Sequence, residues 1–173
     1  MAYLIAASSR SAVNTCARNA LALLQTIPGV DLIGAAMLLV EIGTDMSVFG
    51  SADRLASWVA ICPGNNESAG KRKSGRIRQG NPYVRRLRCE FAHAASRTAS
   101  VFNSKFQALT IRRGHKRAII AIGHKILRTI FHMLRRDTHF HGSSVDYEAL
   151  SVARNAPRWI KSLKRFGFLP DPV

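Results

Sequence analysis

The stretch KRAIIAIGHKILRTIFHMLRR, residues 116–136, decides the fold class. Ile119, Ile122, Ile126, Ile130 and Leu134 recur at intervals of three or four, and further apolar positions widen the stripe. That period predicts one long helix with a broad face turned into a core. Gly123 weakens it by about 1 kcal/mol relative to alanine. Arg135 and Arg136 suit the negative end of the helix dipole.

Working outward, residues 103–113 predict a short helix ended by Gly114. Pro82 fits the first turn of a helix running to about Ser100. On it Val84, Leu87, Phe91 and Ala95 form the packing side, and Arg85, Arg86 and Arg88 fall on the other side or its edge. Ser51 reads as the N-cap of a helix through Ala60, with Trp58 assigned to the core because its neighbours are apolar. Residues 11–26 predict a helix with Val13, Ala17, Ala20, Leu21 and Leu24 on one face. Residues 157–168, PRWIKSLKRFGF, predict a short basic amphipathic helix. With no repeat and no series of strands, the expectation is an all-α, compact helical domain.

Between the first two helices, TIPGVDLIGAAMLLVEIG (residues 26–43) places a Pro28-Gly29 turn before an apolar helix from Leu32 to Ile42, stopped by Gly43. The segment resembles a helix-hairpin-helix, whose hairpin amides (here Gly29 and Val30) grip a DNA phosphate. Asp31 stands where a second glycine is usual and would repel phosphate, so a packing corner is the preferred reading.

Composition sets the function class. The chain has 173 residues and a net charge of +16. Residues 1–70 hold three basic residues and five acids, whereas residues 71–173 hold 23 basic residues and five acids. Charge confined to one part of a chain points to nucleic acid. A basic membrane-surface protein would place it on one long amphipathic helix, and here much of it lies in a loop rich in glycine and asparagine. Cys16, Cys62 and Cys89 show no CxxC spacing and predict reduced thiols. The start MAYLIAASSR lacks a signal-peptide pattern, and no apolar run is long enough for a membrane span. The expected location is the cytoplasm.

The basic loop is PGNNESAGKRKSGRIRQGNPYVRRLR, residues 63–88, with eight Lys or Arg in its last eighteen residues. Its pattern fits neither helix nor strand before Pro82. Lys71, Arg72, Lys73, Arg76, Arg78, Asn81, Arg85, Arg86 and Arg88 are the candidate phosphate contacts. Ser68 is the candidate nucleophile, with the neighbouring cations placed to stabilise charge on a phosphodiester, and Ser74 is its rival. Asn65 and Asn66 add donors, and Gly70 permits close backbone approach. Glu67 reads equally as a base or as a solvated loop acid. His132, His139 and His141 can be drawn as a metal cluster, yet no carboxylate or cysteine stands at a ligand spacing, so no metal is expected in this chain. Asp31, Glu41, Asp45 and Asp53 lack the spacing of a two-metal nuclease.

Three blocks carry a family likeness: residues 26–43, LASWVAICPGNNESAGKRKSGRIRQGNPYVRRLRCEFAHAA, and HKRAIIAIGHKILRTIFHML. In order, over about residues 25–140, they resemble the C-terminal domain of the serine-dependent insertion-sequence transposases that also carry an N-terminal RuvC-like DEDD domain. The resemblance implies a bridge-RNA-guided recombinase that acts through a covalent serine–DNA intermediate. It implies Ser68 as nucleophile, although Ala69-Gly70 follows where Ser-Gly is commoner. It further implies DNA ends and target DNA as partners, a guide RNA, a homo-oligomer when active, Mg2+ in a RuvC-like half supplied in cis or in trans, and a bacterial, nucleoid-associated location. Residues 1–24 then read as the remnant of a linker helix, Met1 as an internal or truncated start, and residues 141–173 as a basic tail. Such a chain is expected to be inactive alone. The alternatives are a non-catalytic DNA- or RNA-binding module, including the remnant of a decayed transposase, and, on charge alone, a ribosomal-type or nucleoid RNA-binding protein.

Overall fold

The computed structural model describes residues 2–60, 66–68, 70–74, 80–142 and 145–169. Its helices are α1 (Ala2–Gln25), α2 (Leu32–Ile42), α3 (Ala52–Trp58), α4 (Pro82–Ala95), α5 (Val101–Arg113), α6 (His115–Arg136) and α7 (Tyr147–Arg165), with a 3-10 turn at Met46–Val48. The class is all-α. One addition departs from the sequence expectation: β1 (Asn66–Ser68) and β2 (Lys71–Ser74) form a small antiparallel hairpin inside the basic loop.

Helix α6 is the hub. α1, α3, α4 and α5 all pack against it. Ile119, Ile122, Ile126 and Ile130 are buried as their spacing requires, joined by Leu127, Phe131 and Met133. Each such side chain contributes roughly 1.5–3 kcal/mol through burial. α4 packs on α6 too, with Val84, Leu87, Phe91 and Ala95 buried and the Phe91 ring against Gly34 of α2. Gly123 allows the close approach, since a Cβ there would lie 3.0 Å from the Arg88 carbonyl oxygen.

Local chemistry sets the boundaries. Asp31, Ser51, Asn81 and Asp146 each cap a helix by accepting bonds from backbone N–H groups in its first turn. Gly43 and Gly114 end α2 and α5 with positive φ. Two expectations need correction. Trp58 is 44% exposed at the end of α3, its ring tilted against Phe49 at 5.6 Å, so it is a rim residue and not core. The C-terminal helix starts at Tyr147, not Pro157, because the Asp146 cap begins it ten residues earlier. Pro157 lies inside it, and no residue of α7 is buried. Among the described residues no helix is long and apolar enough to cross a membrane.

Candidate nucleic-acid interface

The basic loop leaves the helical body through a narrow neck. Ala60 takes φ 59°, a left-handed backbone rare for a residue with a side chain, and turns the chain away from α3. The loop returns at Gly80, where a Cβ would stand 2.6 Å from the Val59 carbonyl carbon and the Ala60 Cβ. Asn81 then caps α4: its Oδ1 accepts from Tyr83 N (2.9 Å) and Val84 N (3.1 Å), and its Nδ2 donates to Glu41 Oε2 at 2.6 Å. The two ends of the loop are thereby fixed to the body.

Beyond the neck the hairpin pairs Asn66 with Ser74, Glu67 with Arg72 and Ser68 with Lys71. The register slips between the first two pairs, leaving Lys73 as the extra residue of a bulge. Gly70, at φ 73°, makes the reversal. Among the described elements, the two strands pack only on each other. The hairpin is therefore an arm. Ser68 sits at its tip, one step from the turn and opposite Lys71. Ser74 sits nearer the base. Lys71, Arg72 and Lys73 line β2. Cys62, Asn65, Arg76 and Arg78 lie outside the described residues.

The three arginines of α4 do not share a face. Arg86 is on the surface, paired at 3.3 Å with Glu90, whose side chain is 60% exposed; such a pair is weak and leaves the guanidinium open to phosphate. Arg85 is half-buried. Arg88 corrects the expectation: it is 3% exposed, turned toward α6, and its Nε and Nη1 have no hydrogen-bond partner. Burial and the charge of Arg85 both push its pKa down, while Cys89 opposes them. It is not a surface phosphate contact. Asn81 is likewise committed to its cap and to Glu41.

The Gly29–Val30 turn backs onto the end of α4, since a Cβ on Gly29 would overlap the Ala95 backbone nitrogen. Val30 is buried, and its N–H donates to the Ile27 carbonyl at 3.1 Å. Asp31 caps α2 through Oδ1 to Gly34 N at 3.1 Å. The acids of the N-terminal half have structural partners. Asp45 caps the 3-10 turn, Asp53 lies 3.6 Å from Arg128, and Glu41 holds Asn81. Among the described residues no group of three or more His, Cys, Asp or Glu is arranged to hold a metal ion.

The model of the Transposase IS116/IS110/IS902 family matches residues 21–107, about half of the chain. The chain belongs to this transposase family. A curated relative, the "Insertion element IS900 uncharacterized 42 kDa protein" of Mycobacterium paratuberculosis, is 31% identical over 120 residues. The match covers 67% of this chain and 30% of the relative, so the chain spans less than a third of that protein's length in the aligned region. No solved structure matches.

The segment matched to the transposase family runs from the end of α1 into α5 and contains the whole arm with its neck. Sequence reading missed a second basic surface whose cations lie beyond it. At the corner between α5 and α6, Arg112, Arg113, Lys116 and Arg117 are all exposed. His115 beside them contacts His93 of α4 (ring centroids 5.7 Å apart) and the Phe106 ring (5.3 Å). The run RRGHKR around Gly114 was the available signal.

Proposed function

We propose that this chain is the nucleophile-bearing, DNA-contacting part of a transposase, and that Ser68 attacks a DNA phosphodiester. In that step the serine oxygen forms a bond to phosphorus and the bond to one deoxyribose oxygen breaks. The serine proton passes to solvent or a base, and the leaving hydroxyl takes up a proton. A serine–phosphate ester joins protein to DNA until a second hydroxyl displaces it. The observation that carries the reading is the position of Ser68 at the tip of a projecting hairpin, opposite a strand with three consecutive cations. Lysine and arginine there would stabilise the charge on the phosphate oxygens as it develops. Ser74, closer to the base of the arm, is the rival.

The reading assigns Mg2+ to a RuvC-like half in cis or in trans, and takes DNA ends, target DNA, a guide RNA and further protomers as partners. A second reading, a binding module without chemistry, has its own support: Glu41 at the arm's root is held by Asn81, which leaves Glu67 on the arm itself as the candidate general base there.

The test is a covalent trap. The purified chain, alone and with a separately expressed RuvC-like domain, is mixed with element-junction DNA, guide RNA and magnesium, then run on denaturing gels. The expected result is a protein–DNA adduct that disappears with Ser68→Ala while DNA binding persists. An adduct that survives Ser68→Ala and is lost with Ser74→Ala moves the nucleophile. No adduct under either condition, with salt-sensitive binding intact, establishes the binding module.

A further inference from the structure

The C-terminal half of α6 and the segment after it surround a pocket of about 350 Å³ that shares no residue with the arm. Its size lies at the small end of ligand sites, roughly 300–1,000 Å³. One side is aromatic. The half-buried Phe140 ring stacks on the buried Phe102, centroids 5.4 Å apart at 25°, and the Phe140 N–H donates to Thr26 Oγ1 at 3.0 Å. The platform is thus held from below and along its backbone. The other side carries Lys125, Arg136 and three histidines, His132, His139 and His141, and no carboxylate lines the pocket.

Positive charge is concentrated here without an anion to balance it. Lys125 Nζ donates to Tyr147 Oη at 3.2 Å and lies 4.9 Å from the ring centre, while Lys105 Nζ lies 5.1 Å from the same centre. Among the described residues neither lysine has a carboxylate within ion-pair distance. Burial, and then the charge of Lys125, pushes the Lys105 pKa down. The end of α6 brings carbonyls of opposite polarity nearby, but the N–H groups of Asp137 and Thr138 both bond the Met133 carbonyl. Bare surface cations would not need an anchored aromatic ring beside them. A ring beside a lysine and an arginine in one pocket is the arrangement that takes a nucleobase and its phosphate together.

We propose that this pocket binds one phosphorylated nucleotide of a single strand, with its base on Phe140 and its phosphate between Lys125, Arg136 and the histidines. A base stacked inside a duplex cannot reach such a platform, which restricts the ligand to unpaired nucleic acid. The inference rests on the reading of the chain as a nucleic-acid binder, and it assigns single-strand recognition to a surface remote in sequence from the arm.

The experiment is calorimetric titration of the full chain with thymidine 5′-monophosphate, thymidine and inorganic phosphate, alongside duplex-DNA binding. The nucleotide is expected to bind about tenfold or more tightly than either fragment. Arg136→Gln, at an exposed position, should weaken it about tenfold through loss of a charge-assisted contact. Phe140→Leu should weaken it by a similar factor through loss of stacking. Duplex binding should hold in Arg136→Gln. Inorganic phosphate binding as tightly as the nucleotide, or an unchanged affinity in Arg136→Gln, overturns the proposal. Intact duplex binding with no nucleotide binding overturns the pocket alone, whereas loss of both overturns the nucleic-acid reading beneath it.

Discussion

Arg88 shows how a single residue can mislead a pattern. In the sequence it is one of three arginines on a basic helix, and charge alone groups it with Arg85 and Arg86. In the structure it occupies the α4–α6 seam with two guanidinium nitrogens unpartnered. A buried donor without an acceptor costs about 1–3 kcal/mol, and more when charged. Replacing it with an apolar side chain of similar length is therefore expected to stabilise the fold. Arg88→Met should raise the midpoint of urea unfolding by the equivalent of about 1–3 kcal/mol and leave DNA affinity unchanged. A loss of DNA affinity, with stability constant, would return Arg88 to the phosphate-contacting set.

At the scale of the element, the neck of the arm matters more than its tip. Gly80 has no room for a Cβ against Val59 and Ala60. Gly80→Ala should push the returning strand off the body, lower stability by about 1–3 kcal/mol as overpacking does, and weaken DNA binding. Thermal denaturation and a binding titration check it, and a variant with wild-type values in both would show that the neck is loose. The helices were legible because their signals are local: Pro82 at the start of α4, Gly114 between α5 and α6, and the isoleucine spacing of α6. The hairpin was not, because Asn66–Ser68 and Lys71–Ser74 contain no apolar residue and so carry no hydrophobic period. Trp58 was misplaced for a related reason, since apolar neighbours in sequence do not say which way the end of a seven-residue helix faces. The pocket under Phe140 joins residues from α5, α6 and the segment beyond, and no window of sequence contains it.

Across the whole molecule, charge and burial give a stability that depends on pH. His124 sits between α6 and its neighbours, and its pKa is held below the ordinary 6.5 first by burial and then by Arg128. Arg88 and Lys105 act in the same direction, and Asp53 opposes them. The unfolded chain takes up a proton as pH falls through 6.5, whereas the folded chain resists it. The contribution is therefore complete above that pH and declines below it. His124→Asn should flatten the fall in melting temperature as pH drops below 6.5. An unchanged slope would exclude His124 as its source. The same excess of cations makes affinity for DNA salt-dependent, each neutralised phosphate contributing about 0.9 to the slope of log K against log salt.

The neck at Ala60 and Gly80 has a consequence for engineering. Two chain ends held in contact bracket a segment whose described strands pack on no other described element. Lengthening a flexible segment costs only about 0.6 kcal/mol per doubling. Lengthening the arm between these two joints is therefore expected to leave the melting temperature of the helical body nearly unchanged.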